Sequence, residues 1–241
     1  MSSVAIVMAY YENPKMLRLH LHEWQKYRET DKMAMSAIIV DDGSPRNPAE
    51  GVIRQYGGDV GFPIHLFRIK ENKPWNQDGA RNLAMKHCTG WALMTDMDHL
   101  LARDQVGGLR HIVSHEVKAG SYYMPGRRNF DNTPLHRHPN SYVFLAEDFW
   151  KMGGYDEDFA GVYGSDGNFR KCMKAGLREE MTDKFHLTHW PSSAISDANT
   201  KDWGRKDSPY HRSQFPKIEA KSKGPAYRAT NPLRFTWEQV L

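Results

Sequence analysis

Continuous apolar runs alternate with amphipathic helical segments through the first hundred residues of this chain. The run "VAIVMAY" (4–10) carries no polar face, as expected of a strand that is covered on both sides of a sheet. The Asn-Pro pair at 13–14 is typical of a helix start, and the apolar residues Leu17, Leu21 and Trp24 then recur at helical spacing. The same alternation repeats further along the chain. It predicts an α/β fold with a mostly parallel central sheet flanked by helices.

Two of the predicted strands end in aspartates. "MSAIIVDDGS" brings Asp41 and Asp42 to the end of one strand, and "ALMTDMDHLL" (92–101) brings Asp96 and Asp98 to the end of another. In open parallel sheets, ligands bind in the crevice beyond the carboxyl ends of the strands. The sequence therefore predicts a polar site at this edge of the sheet.

Each acidic pair has two interpretations. If the strand continues through both residues, Asp96 and Asp98 point the same way, and their hard oxygens suit Mg²⁺ or Mn²⁺ with positions left for phosphate oxygens. The alternative is an aspartate that caps the helix beginning near Asp104. At the other strand, Asp41 or Asp42 can accept a hydrogen bond from a nucleobase or a ribose hydroxyl, or can simply close the strand in a turn.

Two predicted helix starts carry further charged residues. Arg81 lies in the first turn of the helix in "QDGARNLAM", near backbone N–H groups that favour anions. It can hold a diphosphate, hold an aspartate of a neighbouring loop, or be a surface arginine. Asp166 lies at the start of the helix in "YGSDGNFRKC", where it can act as a general base or as an ordinary N-cap.

The segment "KFHLTHWP" contains two histidines at an odd spacing. If the segment is a strand, His186 and His189 point to opposite faces, so one of them rather than both would join an acidic metal site. For each histidine, a packing or surface role is the alternative.

The composition indicates a folded chain. Charged residues make up 26% and hydrophobic residues 39% of the 241 residues, and the net charge of +4 suits an anionic ligand. The chain lacks the dense basic stripe of a nucleic-acid binder, so we expect no nucleic-acid partner. Cys88 and Cys172 favour two free thiols in a reducing, cytoplasmic compartment. No apolar stretch has membrane-spanning length, so we expect no transmembrane segment and at most peripheral association with a membrane.

The periodicity fades near the C-terminal end. Nine lysines and arginines face four acidic residues over 201–241. We therefore expect a single domain over 1–195, followed by an irregular, basic and loop-rich extension over 196–241.

Five segments occur in a characteristic order between residues 4 and 190. They are "VAIVMAYYE", "IIVDDGSP", "WNQDGARNLAM", "LMTDMDHL" and "GGYDEDFAGVYGSDGNFRKC". Each is weakly specific alone, but in this order the chain resembles glycosyltransferases of the Rossmann-like GT-A fold and is similar to their large inverting family 2. The resemblance implies a metal-dependent enzyme that moves a sugar from a nucleoside-diphosphate sugar, by default UDP-linked, to a hydroxyl of a glycan or another acceptor. Residues 1–100 would bind the nucleotide sugar, and residues 101–195 would supply the base and the acceptor site.

The resemblance also implies a role for each matching residue. Asp98 would bind Mn²⁺ or Mg²⁺ together with one of His186 and His189, and Asp166 would be the catalytic base. The residues implied in nucleotide-sugar binding are Ala9, Tyr11, Asp41, Asp42, Arg81 and Asp96.

One departure from the family pattern keeps two other functions open. Acidic residues of the usual motif are replaced in Ser165-Asp166-Gly167-Asn168, which leaves Asp166 as the single candidate base. A catalytically degenerate module that binds nucleotide or glycan is therefore one alternative. A sugar nucleotidyltransferase is less favoured, because it would usually carry a glycine-rich basic loop where this chain has "YYENPKM".

Overall fold

The computed structural model describes residues 3–73, 75–162, 164–199 and 209–241. The strands are β1 (Val4–Tyr10), β2 (Met35–Asp41), β3 (Ile64–Ile69), β4 (Trp91–Met94), β5 (His99–Leu100), β6 (Ser121–Asn129), β7 (Pro134–Leu135), β8 (Tyr142–Leu145), β9 (Arg178–His189) and β10 (Trp237–Gln239). The helices are α1 (Pro14–Gln25), α2 (Glu29–Lys32), α3 (Ala49–Tyr56), α4 (Gln77–Lys86), α5 (Val106–His115), α6 (Ala146–Lys151), α7 (Asp166–Gly176) and α8 (Pro209–Lys223), with a 3-10 turn at Glu157–Phe159.

Within the described residues, all ten strands join one sheet. Its order is β10-β3-β2-β1-β4-β8-β6-β9-β5, and β7 pairs with β6 outside this path. Strands β3, β2, β1 and β4 run parallel to one another, which confirms the predicted α/β fold with a mostly parallel centre. The chain moves from β1 to β2 on one side and later places β4 on the other side. This reversal opens a crevice beyond the carboxyl end of β1, between the ends of β2 and β4.

The uninterrupted apolar character of β1 follows from its burial on both faces. Ile6 and Met8 belong to the core that includes Leu21 of α1. Val7, which points the other way, belongs to the core that includes Leu83 of α4. Helices therefore cover both faces of the parallel strands. For this reason the strand residues that point to either face are apolar.

The second half of the sheet is mixed. Strand β8 runs antiparallel to β4, and β6 and β9 form a parallel pair. The short strand β5 runs antiparallel to the end of β9 and pairs His99 with His189. This pairing brings the end of β9 beside the loop that follows β4.

The residues after 195 contain more regular structure than the fading periodicity led us to expect. Helix α8 spans 15 residues, and β10 pairs antiparallel with the edge strand β3. Phe235 is buried in the same core as α4. Residues 200–208 of the expected extension lie outside the described residues. The C-terminal segment completes the sheet, and the division at residues 195 and 196 stays a prediction.

Helix α1 begins at Pro14 as predicted, but a distant residue caps it. Asn13 precedes the helix and its side chain makes no cap hydrogen bond. Instead, the Asp197 carboxylate accepts hydrogen bonds from the backbone N–H of Lys15 at 2.6 Å and of Met16 at 3.2 Å. The segment that follows β9 is thereby tied to the first helix.

Among the described helices, none is both long enough and apolar enough to cross a membrane.

Candidate active site

Asp41 at the end of β2 is engaged by its own loop. One carboxylate oxygen accepts from the backbone N–H of Ser44 at 2.8 Å, and the other accepts from the backbone N–H of Ala49 at 2.9 Å. Gly43 has a positive φ of 73°, and a Cβ there would lie 3.1 Å from the backbone of Asn72. Asp41 therefore shapes the strand end and the start of α3, as the turn interpretation of this residue expected.

Asp42, beside the crevice, has one carboxylate oxygen without a hydrogen-bond partner in the described part of the chain. Its Oδ2 accepts from the backbone N–H of Asn76 at 3.0 Å, whereas its buried Oδ1 has no hydrogen-bond partner among the described residues. The side-chain polar atoms of Asn76 are also buried without a hydrogen bond of normal geometry there, although this side chain lies close enough to Asp42 to oppose the effect of burial on its pKa. Burial raises the pKa of Asp42 well above its usual range. Unpartnered buried polar groups are rare in folded proteins, so a cluster of them indicates a polar ligand site.

Tyr11 and Ala9 lie on the same side of the crevice as Asp42. Ala9, near the end of β1, is partly buried. The Tyr11 hydroxyl donates to Asn72 Oδ1 at 3.2 Å, and Asp42 lies close enough to raise the pKa of Tyr11 in addition to the larger effect of burial. Tyr11 and Asp42 therefore lie near each other, and the β1–β2 register pairs Ala9 with Val40, two residues before Asp42.

Arg81 holds two aspartates from different parts of the chain. Its Nη2 donates to Asp96 Oδ1, and its Nη1 donates to Asp166 Oδ1 at 2.6 Å and to the Tyr155 hydroxyl at 3.2 Å. The arginine is only 1% exposed. Of the three interpretations in the sequence, the structure favours an arginine that orders carboxylates, because both ends of its guanidinium are occupied by acidic side chains.

Asp166 occupies the first position of α7 but does not cap it. The residue before it, Ser165, is the N-cap, and that helix start has no side-chain cap hydrogen bond. The Asp166 carboxylate instead pairs with Arg81, and its side chain stays 22% exposed. A carboxylate that is held by a buried arginine and exposed on one side can accept a proton from a bound hydroxyl.

Asp98 is surrounded by imidazoles. Its Oδ1 accepts from His99 Nδ1 at 2.7 Å, and its Oδ2 lies 3.6 Å from His189 Nε2. Burial alone would raise the pKa of Asp98, but the interactions with His189 and His99 outweigh it and hold that pKa well below the usual range. Asp98 is therefore ionised across the neutral pH range, as a metal-binding carboxylate must be.

The structure places His189, and not His186, beside Asp98. The β5–β9 pairing sets His189 opposite His99, and the Trp190 backbone N–H donates to the Asp98 carbonyl at 2.8 Å. His186 lies three residues earlier on β9, where its backbone N–H donates to Gln105 Oε1 at 3.1 Å. Burial lowers the pKa of His186, and the positive charge of Arg128 lowers it further. The opposite-face argument from the sequence is consistent with this arrangement.

Three residues of the site were not singled out in the sequence. Gln77 Nε2 donates to Asp96 Oδ1 at 2.8 Å, and His138 Nε2 lies 3.5 Å from Asp96 Oδ2. The His138 ring stacks on His99 at 3.9 Å between centroids, and burial lowers the pKa of His138 to about 4. His99 had a visible signal, because it directly follows "DMD". Gln77 and His138 had none, since only the fold brings the start of α4 and the loop before β8 to this place.

The geometry allows a divalent cation at Asp98 and His189. Their facing oxygen and nitrogen atoms are 3.6 Å apart, and one ion with bonds of about 2.1 Å to each ligand can contact both. Within the described residues, no group of three or more His, Cys, Asp or Glu side chains forms a complete metal site. Oxygens of a bound phosphate or of water would complete the coordination of a cation here, as they usually do for Mg²⁺ in enzymes that bind phosphates.

A family model matches most of this site. The model described as Glycosyl transferase family 2 matches residues 5–183, which include every candidate residue except His186 and His189. Among curated proteins, no sequence is significantly similar to this chain.

Several solved structures share the fold at low sequence identity. Crystal structures of S. aureus TarS 1-349 superpose with TM-scores of 0.60 without ligand and 0.62 in complex with UDP-GlcNAc, at 11% and 12% identity. They cover 91% of this chain and 70% and 66% of theirs. The mannosyltransferase PcManGT from Pyrobaculum calidifontis, in complex with GDP-Man and Mn²⁺, has a TM-score of 0.61 at 16% identity, covering 93% of this chain and 65% of its own. This chain thus spans about two thirds of the length of these relatives.

Proposed function

Because the chain belongs to glycosyl transferase family 2, we propose that it transfers a sugar from a nucleoside-diphosphate sugar to an acceptor hydroxyl, with inversion at the anomeric carbon. The observation that carries this proposal is the Arg81 link between Asp96 and Asp166. It joins Asp96 at the strand end, where a donor would bind, to the partly exposed carboxylate of Asp166, which is suited to act as the base. Supporting relatives of the same fold were solved with UDP-GlcNAc and with GDP-Man.

The nucleoside is proposed to bind beside β1. We propose that Asp42 Oδ1, which has no described hydrogen-bond partner, contacts the nucleobase there, and that Ala9 and Tyr11 line the same pocket. We assign the base contact to Asp42 rather than Asp41, because both oxygens of Asp41 already accept backbone N–H groups. The donor is proposed to be UDP-linked, and GDP is the competing nucleotide in the assays below.

Asp98 and His189 are the proposed ligands of a Mn²⁺ or Mg²⁺ ion. The ionised carboxylate and the facing imidazole supply two ligands of suitable chemistry, and His99 orients the carboxylate through its other oxygen. When bound, such a cation neutralises negative charge that develops on the diphosphate leaving group. His186 is not part of this proposal.

Asp166 is the proposed base. It takes the proton from the acceptor hydroxyl while that oxygen attacks the anomeric carbon, and the bond to the leaving diphosphate breaks on the opposite face. One displacement of this kind inverts the configuration. Arg81 holds the carboxylate in place through a direct hydrogen bond, which supports the assignment. The acceptor is proposed to be a glycan or another molecule with a free hydroxyl.

A cytoplasmic location is also proposed. Cys88 and Cys172 are both free and buried, which suits a reducing compartment.

Substitution of Asp166 tests the proposed chemistry. We expect Asp166→Asn to lower turnover by about 10²–10⁴-fold while donor affinity changes little, because the amide keeps the shape but cannot accept the proton. The measurement is nucleoside-diphosphate release from a panel of UDP- and GDP-sugars, together with donor binding by calorimetry. Asp59→Asn, an exposed aspartate, is the matched control and should behave as wild type.

Three outcomes would overturn the proposal or part of it. Normal turnover in Asp166→Asn would remove this residue from the mechanism. Binding without turnover by the wild-type chain, across donors and acceptors, would favour a nucleotide- or glycan-binding module. Release of pyrophosphate instead of a nucleoside diphosphate would identify a nucleotidyltransferase.

A further inference from the structure

A second arginine, Arg127 on β6, faces the carboxylates of the site. In the β6–β9 register, Arg127 lies beside Leu187 and Asn129 lies beside His189. Because side chains alternate along a strand, Arg127 shares a face with His189, whereas Arg128 points to the other face. The charges of Asp98 and Asp96 both act on the Arg127 guanidinium. Arg127 therefore points towards the place where Asp98 and His189 meet.

Arg127 has no anionic partner in the described part of the chain. Its Nε is buried without a hydrogen-bond partner there, and its guanidinium forms no ion pair with a described carboxylate. Arg81, the other arginine of the site, is bound by two aspartates. The difference has a cost, because burial lowers the pKa of Arg127 and a partly buried cation without a partner is unfavourable.

The neighbouring carboxylates are already engaged by other groups. Asp96 Oδ1 accepts from Arg81 and Gln77, and Asp98 Oδ1 accepts from His99. Their net negative charge attracts Arg127 to this region without an ion pair that would occupy it. An unpartnered guanidinium held beside a site for anions is ready to bind a ligand, since its planar donors match phosphate oxygens in a two-bond arrangement.

We propose that Arg127 binds the diphosphate of the donor nucleotide. This inference rests on the proposed function, because it takes a nucleoside-diphosphate sugar as the ligand of the crevice. The diphosphate supplies the anion that Arg127 lacks, next to the proposed cation ligands Asp98 and His189. The guanidinium contacts phosphate oxygens and not the base, so it contributes affinity for the diphosphate of any nucleotide that enters.

The test compares nucleotides with nucleosides. UDP, GDP, uridine and guanosine are titrated by calorimetry with Mn²⁺ present into wild type, Arg127→Gln and Arg128→Gln. We expect Arg127→Gln to lower the affinity for whichever diphosphate binds wild type by about 10- to 100-fold, because a charged hydrogen-bonded pair is lost. Nucleoside affinity should change less than about twofold. Arg128→Gln is the matched control. Its guanidinium contacts the Asn132 carbonyl at 3.2 Å, and we expect wild-type affinities.

Each result decides the proposal. An unchanged diphosphate affinity in Arg127→Gln, or an equal loss for diphosphate and nucleoside, overturns the role of Arg127 while leaving the proposed function standing. Failure of wild type to bind either diphosphate removes the proposed function and this inference together. If Arg127→Gln does not fold, Arg127→Lys decides the question: it keeps the charge without the planar donors, and we expect about 3- to 10-fold weaker diphosphate binding. Wild-type affinity in that variant overturns the proposal.

Discussion

Asp41 and Asp42 end β2 on one side of β1, and Asp96 and Asp98 follow β4 on the other side. In the first pair, Asp41 accepts hydrogen bonds from the backbone N–H groups of Ser44 and Ala49, and Asp42 accepts one from that of Asn76. In the second pair, the carboxylates contact side chains, and all of these except His99, which directly follows Asp98, come from distant parts of the sequence. The partners of the second pair are Arg81, Gln77, His99, His138 and His189.

The contrast shows that two similar acidic endings can serve different purposes. A carboxylate bonded to its own loop stabilises the backbone there, and its loss should appear mainly in the free energy of unfolding. A carboxylate whose partners are cationic or imidazole side chains belongs to a candidate ligand site, and its loss should appear mainly in binding and turnover. Asp42, with one bonded and one open oxygen, combines the two.

Substitution of Asp98 should have the largest effect. We expect Asp98→Asn to lower turnover by about 10³-fold and to abolish the part of nucleotide affinity that depends on Mn²⁺. The reason is that the cation proposed to bind Asp98 stabilises the charge on the diphosphate by several kcal/mol. Calorimetry with Mn²⁺ and with a chelator measures this. Unfolding should stay close to wild type. A variant with unchanged metal dependence would refute the ligand role of Asp98.

Asp41 should instead affect stability. We expect Asp41→Ala to lower the free energy of unfolding by about 2–4 kcal/mol, because two buried N–H groups, of Ser44 and Ala49, lose their acceptors. Urea unfolding measures this. Asp42→Asn is the comparison variant and should cost less than about 1 kcal/mol, since burial already favours its neutral form. Equal losses in both variants would contradict the distinction drawn between these neighbours.

The two histidines of β9 allow a comparison within the proposed metal site. We expect His189→Ala to weaken Mn²⁺-dependent nucleotide binding by about 10- to 100-fold, as loss of one ligand or its support usually does. His186→Ala, its matched control on the other face of the strand, should change this binding less than about twofold. Mn²⁺ titrations at fixed nucleotide give both values. The reverse ranking would show that β9 presents His186 to the cation.

Asp197 should give the smallest effect. We expect Asp197→Ala to lower the free energy of unfolding by about 1 kcal/mol, because α1 loses the carboxylate that caps it. Thermal unfolding measures this. An unchanged stability in Asp197→Ala would contradict the capping role of this carboxylate.

Local patterns were sufficient for the elements that carry the site. The continuous apolar run of β1 predicted a strand buried on both faces, and the residues Asn13 and Pro14 predicted the start of α1. The strand ends placed Asp41, Asp42, Asp96 and Asp98 on one edge of the sheet. These features depend on residues within one turn or one strand of each other, so the sequence displays them directly.

Features that depend on distant pairing could not be predicted in this way. The strand β10 has only 3 residues, and its partner β3 lies more than 160 positions earlier. Arg81 could have faced a phosphate, an aspartate or water, and only the approach of α7 decided between them. The interpretation of residues 196–241 as loop-rich missed α8, whose apolar residues do not follow a clear helical stripe.

The sequence by itself determined the alternation of strands and helices, the family to which the chain belongs, and the chemical types of the candidate residues. The tertiary structure decided which of these residues meet. It set His189 rather than His186 beside Asp98, gave Arg81 two aspartates, and directed Arg127 towards the same site without a described partner. The physical reason is that strand register and sheet order, set by packing of the whole core, fix distances between residues that the chain separates widely.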